Sequence, residues 1–274
     1  MKKILYLLFG VALLSLASCM GIDNWDDPDC SFFGTVIDSY TNEPLLSSQN
    51  DWQIRIWERS WSKQPDGATT QQDLRIKQDG TYQNTKLFAG TYDMLPYDGP
   101  FWVVDTVKKV ELNKVTEQNF TVTPYLQVID FEYDRGETNF GSEASPDIRP
   151  SLTMTCRLKA PLKSKDGVNL PNLRHVRAFL SLSTFCGNGS NSSISIGEYT
   201  GEGDGSKGII NISRSWADEQ TRNGLDPNSD TSAVYKVGPL PVIHGYTYYI
   251  RMGASCSVGS NRFNYSPIVK VTIP

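Results

Sequence analysis

The sequence predicts an all-β protein built from two tandem β-sandwich domains. Gly, Pro, Ser, Thr and Asn recur along the whole chain. No long stretch has helical periodicity. Short β-branched and aromatic runs stand between these turn residues, and several alternate with period two, the pattern of half-buried strands.

Residues 1–18 stand outside this fold. Lys2 and Lys3 precede an apolar stretch from Ile4 to Ala17, and Leu16-Ala17-Ser18-Cys19 closes it. Basic, apolar, small, cysteine is the order of a lipoprotein signal peptide. The run is shorter than the roughly 20 residues of a membrane-spanning helix. An ordinary secretory leader ends in a small-residue site without the cysteine. Cleavage before Cys19 leaves its thiol to carry diacylglycerol, so Cys19 is the expected lipidation site. Each acyl methylene buried in lipid contributes about 0.8 kcal/mol, so two or three chains anchor a protein durably. Residues 19–30 are acidic and lack apolar periodicity, as a flexible acylated tether would.

The first domain is read over residues 31–123. Phe33 to Asp38 alternates as a strand, and Ser39 to Leu45 makes a turn. Gln53 to Glu58 is a second strand, with Ile54 and Ile56 on one face and Arg55 and Trp57 on the other. Leu74 to Lys77 and Thr81 to Gln83 flank Asp79-Gly80, which predicts a type I′ hairpin. Gly90 to Pro96, Val103 to Val107 and Glu117 to Val122 supply three further strands. The pattern G-x-V-x-D-x-x-T-x-x-P-L, met from Gly34 to Leu45, resembles the opening of carboxypeptidase-regulatory-like, prealbumin-type sandwiches. Asp79-Gly80-Thr81-Tyr82 and Ala89-Gly90-Thr91-Tyr92 are similar to that module's second signature. The resemblance implies turn glycines and core tyrosines, and no catalysis.

The second domain is read over residues 124–274. Leu126 to Phe131, Ser151 to Leu158, Val176 to Phe185 and Ile209 to Ile212 are its first strands. Ser190 to Ser193 and Gly201 to Gly205 read as loops. Ser215, followed three residues later by Asp218, predicts one capped helical turn. Gly245 to Met252 and Asn264 to Val271 resemble the last two strands of immunoglobulin-like or fibronectin-like sandwiches. The resemblance makes Tyr248 a corner tyrosine with its hydroxyl returned to backbone.

Charge narrows the functional classes. Without Lys2 and Lys3 the mature chain has 24 basic and 30 acidic residues, a net charge of −6. With no clustered Lys and Arg, nucleic acid is not an expected partner. Cys30, Cys156, Cys186 and Cys256 allow three pairings in an oxidising compartment, with a bridge in the second half favoured. No C-x-x-C or Cys/His spacing points to zinc. The Asp-rich turns do not follow the twelve-residue calcium loop, so no metal or other cofactor is expected. His175 and His244 stand beside apparent strands without a catalytic motif, and no G-x-S-x-G, H-E-x-x-H or phosphate-binding loop occurs. The expectation is a non-enzyme.

Aromatic residues are the remaining lead. Trp52, Trp57 and Trp61 cluster, and Tyr97, Phe101 and Trp102 flank Asp98-Gly99-Pro100. Flat aromatic faces stack on the apolar faces of sugar rings, but large aromatic residues also fill sandwich cores. Trp57, Tyr97, Phe101 and Trp102 are the candidate ligand-binding residues. The two modules behind a lipobox resemble a Bacteroidetes surface lipoprotein family of unknown function, encoded beside outer-membrane glycan-uptake systems. The acidic run after Cys19 resembles the surface-export signal of such lipoproteins. The resemblance implies a lipid-anchored outer-membrane protein facing the cell exterior, with a glycan or an outer-membrane transporter complex as partner. The alternative role is a structural or assembly subunit, with the sandwiches as spacers.

Overall fold

In the computed structural model, residues 27–60, 71–189 and 208–274 are described. Cys19, Asp23, Asp26, Trp61 and the loops at 190–193 and 201–205 lie outside them. The first unit contains β1 (Cys30–Asp38), β2 (Gln53–Glu58), β3 (Gln71–Arg75), β4 (Thr81–Leu87), β5 (Gly90–Tyr97), β6 (Val107–Leu112), β7 (Val115–Glu117) and β8 (Phe120–Val122). One sheet has the order β4-β1-β7, with β8 also on β1, and the other runs β3-β2-β5-β6. β1 alternates without a break, burying Cys30, Phe32, Gly34, Val36 and Asp38. Phe32, Val36, Trp52, Ile54, Ile56, Tyr82 and Met94 form the core between the sheets.

Three local expectations change. Val103 to Thr106 is not a strand, and β6 begins at Val107. The stretch Glu117 to Val122 divides into β7 and β8, both parallel to β1. The Asp79-Gly80 turn joins strands that belong to different sheets, since β3 pairs with β2 and β4 with β1. Only Gly80 takes a positive φ, +80°, and Asp79 Oδ1 instead accepts from the Thr81 N–H at 3.0 Å. It is therefore not a type I′ hairpin, which needs positive φ at both central residues. Gly34 is needed for space rather than for a turn. A Cβ there would lie 1.9 Å from the Gln118 carbonyl oxygen.

The second unit contains β9 (Gln127–Asn139), β10 (Ile148–Lys159), β11 (Ser164–Lys165), β12 (Val168–Asn169), β13 (Leu173–Ser181), β14 (Ile209–Arg214), α1 (Trp216–Arg222), β15 (Tyr235–Pro241), β16 (Thr247–Cys256), β17 (Phe263–Tyr265) and β18 (Val269–Thr272). Its main sheets are β15-β10-β9 and β14-β13-β16, with β17 and β18 both on β16, and β11 pairs antiparallel with β12 alone. Leu152, Met154, Leu158, Val176, Ile250 and Met252 lie in the core between them. The protein is all-β, a pair of tandem sandwiches. Ser215 caps α1, accepting from the Asp218 N–H at 3.2 Å. The Tyr248 hydroxyl accepts from the Ile243 N–H at 3.1 Å and so is returned to upstream backbone. The run from Asn264 to Val271 breaks into two strands at Pro267, which has no N–H for the ladder.

All four described cysteines are buried and none is joined in a disulfide, which corrects the expected bridge in the second half. Each fills a packing position as a small apolar group. Cys30 belongs to the first core, Cys156 and Cys256 to the second, and Cys186 to a satellite cluster with Phe179 and Tyr265. Burial pushes the Cys156 and Cys256 thiols up to about 12, so neither is a ready thiolate at neutral pH. Reductant is expected to leave the melting temperature unchanged. A fall of several degrees would reveal a bridge.

Candidate aromatic face and the domain junction

The four candidate aromatic residues separate into two environments. Strand parity sets the first. Ile54 and Ile56 of β2 and Met94 of β5 are fully buried, so Arg55 and Trp57 of β2 turn to the other side with Asp93, Leu95 and Tyr97 of β5, where Gln53 also lies but is buried. The register places Gln53 opposite Tyr97, Arg55 opposite Leu95 and Trp57 opposite Asp93. β3 adds Arg75, Asp73 and Gln71 opposite the same β2 residues. Trp57 and Tyr97 therefore share one face, about 13 Å apart along the strands, at four residues of strand rise. Trp57 is half-buried, and Tyr97 is 41% exposed.

Arg55 organises the centre of this face. Its Nε and Nη2 donate to Asp73 Oδ1 and Oδ2 at 2.8 and 3.0 Å, a fork that fixes the guanidinium plane. That plane lies 3.6 Å from the Tyr97 ring centroid, within cation–π range. The Asp73 hydrogen bonds raise the pKa of Arg55 above its ordinary value. Arg75 Nη1 donates to Gln53 Oε1 at 2.8 Å, and Arg59 Nε to Asp93 Oδ2 at 2.9 Å. The result is a rigid surface of ring faces and oriented polar groups, which suits stacking and hydrogen bonding.

Phe101 and Trp102 are elsewhere, and this corrects their reading as surface contacts. Phe101 is 5% exposed and packs edge-on against Trp52 at 5.1 Å in the first core. Trp102 is 4% exposed and packs edge-on against Tyr125 at 5.3 Å in the second core. A sugar-stacking ring needs a solvent-facing side, and neither has one. Adjacent residues thus enter different cores, and the segment from Asp98 to Trp102 is a seam between the units. The Pro100 carbonyl accepts from the Tyr125 N–H and from Asn264 Nδ2 at 3.0 and 3.1 Å.

Charge closes the rest of the seam. Arg262 donates through Nη1 to Asp51 Oδ1 at 3.1 Å and through Nη2 to Asp98 Oδ2 at 3.0 Å. Ser260 Oγ donates to Asp98 Oδ2 at 2.6 Å, and Gln127 Nε2 to Asp38 Oδ2 at 2.7 Å. Burial pushes Asp51 above the ordinary carboxylate range, against the pull of Arg262. Burial also pushes Asp98 up, but the hydrogen bonds from Ser260 and Arg262 outweigh it and hold Asp98 low.

His175 stacks against Phe263 with centroids 6.3 Å apart, and His244 Nδ1 lies 2.6 Å from the Pro274 carbonyl. Among the described residues no group of three His, Cys, Asp or Glu side chains could hold a metal ion.

The stretch that carries both the aromatic face and Phe101 and Trp102 has a recognisable relationship. Residues 30–123 match the DUF3823 N-terminal domain, of a protein family of unknown function. The whole described fold is similar to solved structures. A candidate carbohydrate binding protein from Bacteroides uniformis aligns with TM-score 0.65 and 24% identity, over 90% of this chain and 100% of that one. A DUF3823 family protein from the same species aligns at TM-score 0.61 and 22% identity, over 90% and 100%. Another from Parabacteroides merdae aligns at 0.53 and 18%, again over 90% and 100%. At such identities the likeness concerns the fold alone. A search of curated proteins finds no match. The aromatic face thus lies within the segment that matches the DUF3823 domain, on the sheet β3-β2-β5-β6.

Proposed function

We propose that this protein is a non-catalytic, surface-exposed lipoprotein of the outer membrane that binds glycans for uptake. The observation that carries the reading is the shared outward face of Trp57 and Tyr97, with Arg55 pinned between them by Asp73. Two rings spaced along a strand suit a sugar chain better than a single ring. Arg55 and Asp93 supply polar groups at fixed angles. A structural relative described as a candidate carbohydrate binding protein supports the reading through its shared fold. Cys19 provides the lipid anchor, and the acidic residues after it provide the outward address. The two units are read as carboxypeptidase-regulatory-like and immunoglobulin-like or fibronectin-like sandwiches.

Retention on a panel of immobilised polysaccharides tests the proposal. Tyr97→Ala and Trp57→Ala should each weaken retention about tenfold or more, as loss of an aromatic anchor does. The exposed Tyr97 can be removed with little effect on melting temperature. No retention of any glycan, or retention indifferent to both substitutions, would sink the idea. The sealed seam of Asp98, Arg262 and Asp51 favours a second role, as a rigid spacer docked to an outer-membrane transporter complex. Recovery of the protein from solubilised membranes as a lone monomer counts against that role.

A further inference from the structure

The second sandwich carries a cleft of about 490 Å³ that the aromatic face does not use. That volume lies in the range of small-ligand sites, about 300–1,000 Å³. Its walls are β14, α1 and β15. Both strands are sheet edges there: among the described residues β14 pairs only with β13, and β15 only with β10. A bulge near the end of β14, with Ser213 at φ 55°, turns Arg214 towards α1. Such bulges re-aim side chains beside functional sites.

The chemistry of the lining is lopsided. Arg214, Arg222 and Lys236 contribute three cations, and Glu219 is the single carboxylate. Glu219 is already committed. Its Oε2 accepts from Arg214 Nη1 at 2.6 Å, and its Oε1 from Asn223 Nδ2 and the Tyr235 hydroxyl, both at 3.0 Å. Arg222 and Lys236 form no ion pair among the described residues. The chain as a whole is acidic, at −4, so this cleft inverts the local sign of charge. Two uncommitted cations beside a buried, fully hydrogen-bonded framework make a receptor for an anion.

We propose that the cleft binds the oxyanion of an acidic sugar, a carboxylate or sulfate carried on one monosaccharide unit. The preference for an anion stands apart from the aromatic face, and only the sugar body rests on the glycan reading. The test is calorimetric titration of the full chain at low ionic strength. The probes are methyl glucuronoside, glucose 6-sulfate, methyl glucoside and inorganic sulfate.

The expected result is binding of the glucuronoside or the sulfated sugar, weakened by salt, with none of the neutral glucoside. The charged sugar that binds identifies the preferred oxyanion. Arg222→Gln and Lys236→Gln should each weaken binding about tenfold. Neither residue supports the fold through an ion pair, so the melting temperature should not move. Tyr97→Ala should leave this binding intact. Equal binding of methyl glucoside overturns the proposal, as does failure of both charged sugars. Inorganic sulfate binding as tightly as the sugars overturns the sugar part. Neutral polysaccharide retained through Tyr97, with both charged sugars ignored, overturns the cleft while leaving the aromatic face standing.

Discussion

Trp102→Ala should cost about 3–5 kcal/mol of unfolding free energy, the range for removing a buried indole. The ring is 4% exposed and packs against Tyr125. Its backbone N–H donates to the Thr123 carbonyl at 2.9 Å, so the ring is held at a fixed point beside the second core. The cavity cannot collapse freely, because Phe101 is tied into the first core one residue away. Urea denaturation followed by circular dichroism measures the loss. Trp102→Phe should lose clearly less, since it keeps a ring in the site. A change below about 1 kcal/mol for the alanine variant would contradict the placement of Trp102 in a packed core.

Arg262→Met should cost about 3–5 kcal/mol, because it strands a buried carboxylate. Asp51 is 2% exposed and loses its charged partner, while Asp98 keeps Ser260. Adding Asp51→Asn should recover a substantial part of the loss, and the double-mutant cycle isolates the coupling. The pH dependence has a definite sign. Asp51 is raised from 3.8 by burial, so the folded state takes up its proton before the unfolded state does. That group alone makes the fold more stable as pH falls through its raised folded value towards 3.8. Removing Arg262 raises Asp51 further. The deficit of the variant should therefore be largest at neutral pH and shrink on mild acidification. Loss of the Arg262 contact to Asp98, held low in the folded state, acts in the same direction, so a deficit that grows from neutral pH downward would contradict the pairing of Arg262 with these two carboxylates.

Much of the fold is legible in local alternation. β1 buries every second residue and β2 buries Ile54 and Ile56, and the alternation in their sequences alone reads them as strands and puts Trp57 opposite Ile54 and Ile56. Ser215 announces its helix because a cap is a local device. Pairing is not local. Nothing near Asp79-Gly80 says that the flanking strands join different sheets, or that β7 and β8 run parallel to β1. The site divides in the same way. Trp57 is readable from parity, but Tyr97 joins its face only through the register of β2 on β5. Arg55 could have been found two residues before Trp57, on the same outward side. Asp73, its partner, comes from another strand and had no signal of its own. Phe101 and Trp102 misled because an aromatic pair beside Pro and Gly looks the same in a binding loop and in a buried seam.

That seam bears on what can be exchanged between proteins. The segment that matches the DUF3823 N-terminal domain ends at residue 123, yet it includes an indole whose packing belongs to the sandwich that follows. Cutting there would leave one fragment with an uncovered tryptophan and the other with a hole. Recombination that grafts the first segment onto an unrelated second domain meets the same mismatch. The unit available to shuffling is the pair of sandwiches, although sequence similarity delimits only one of them.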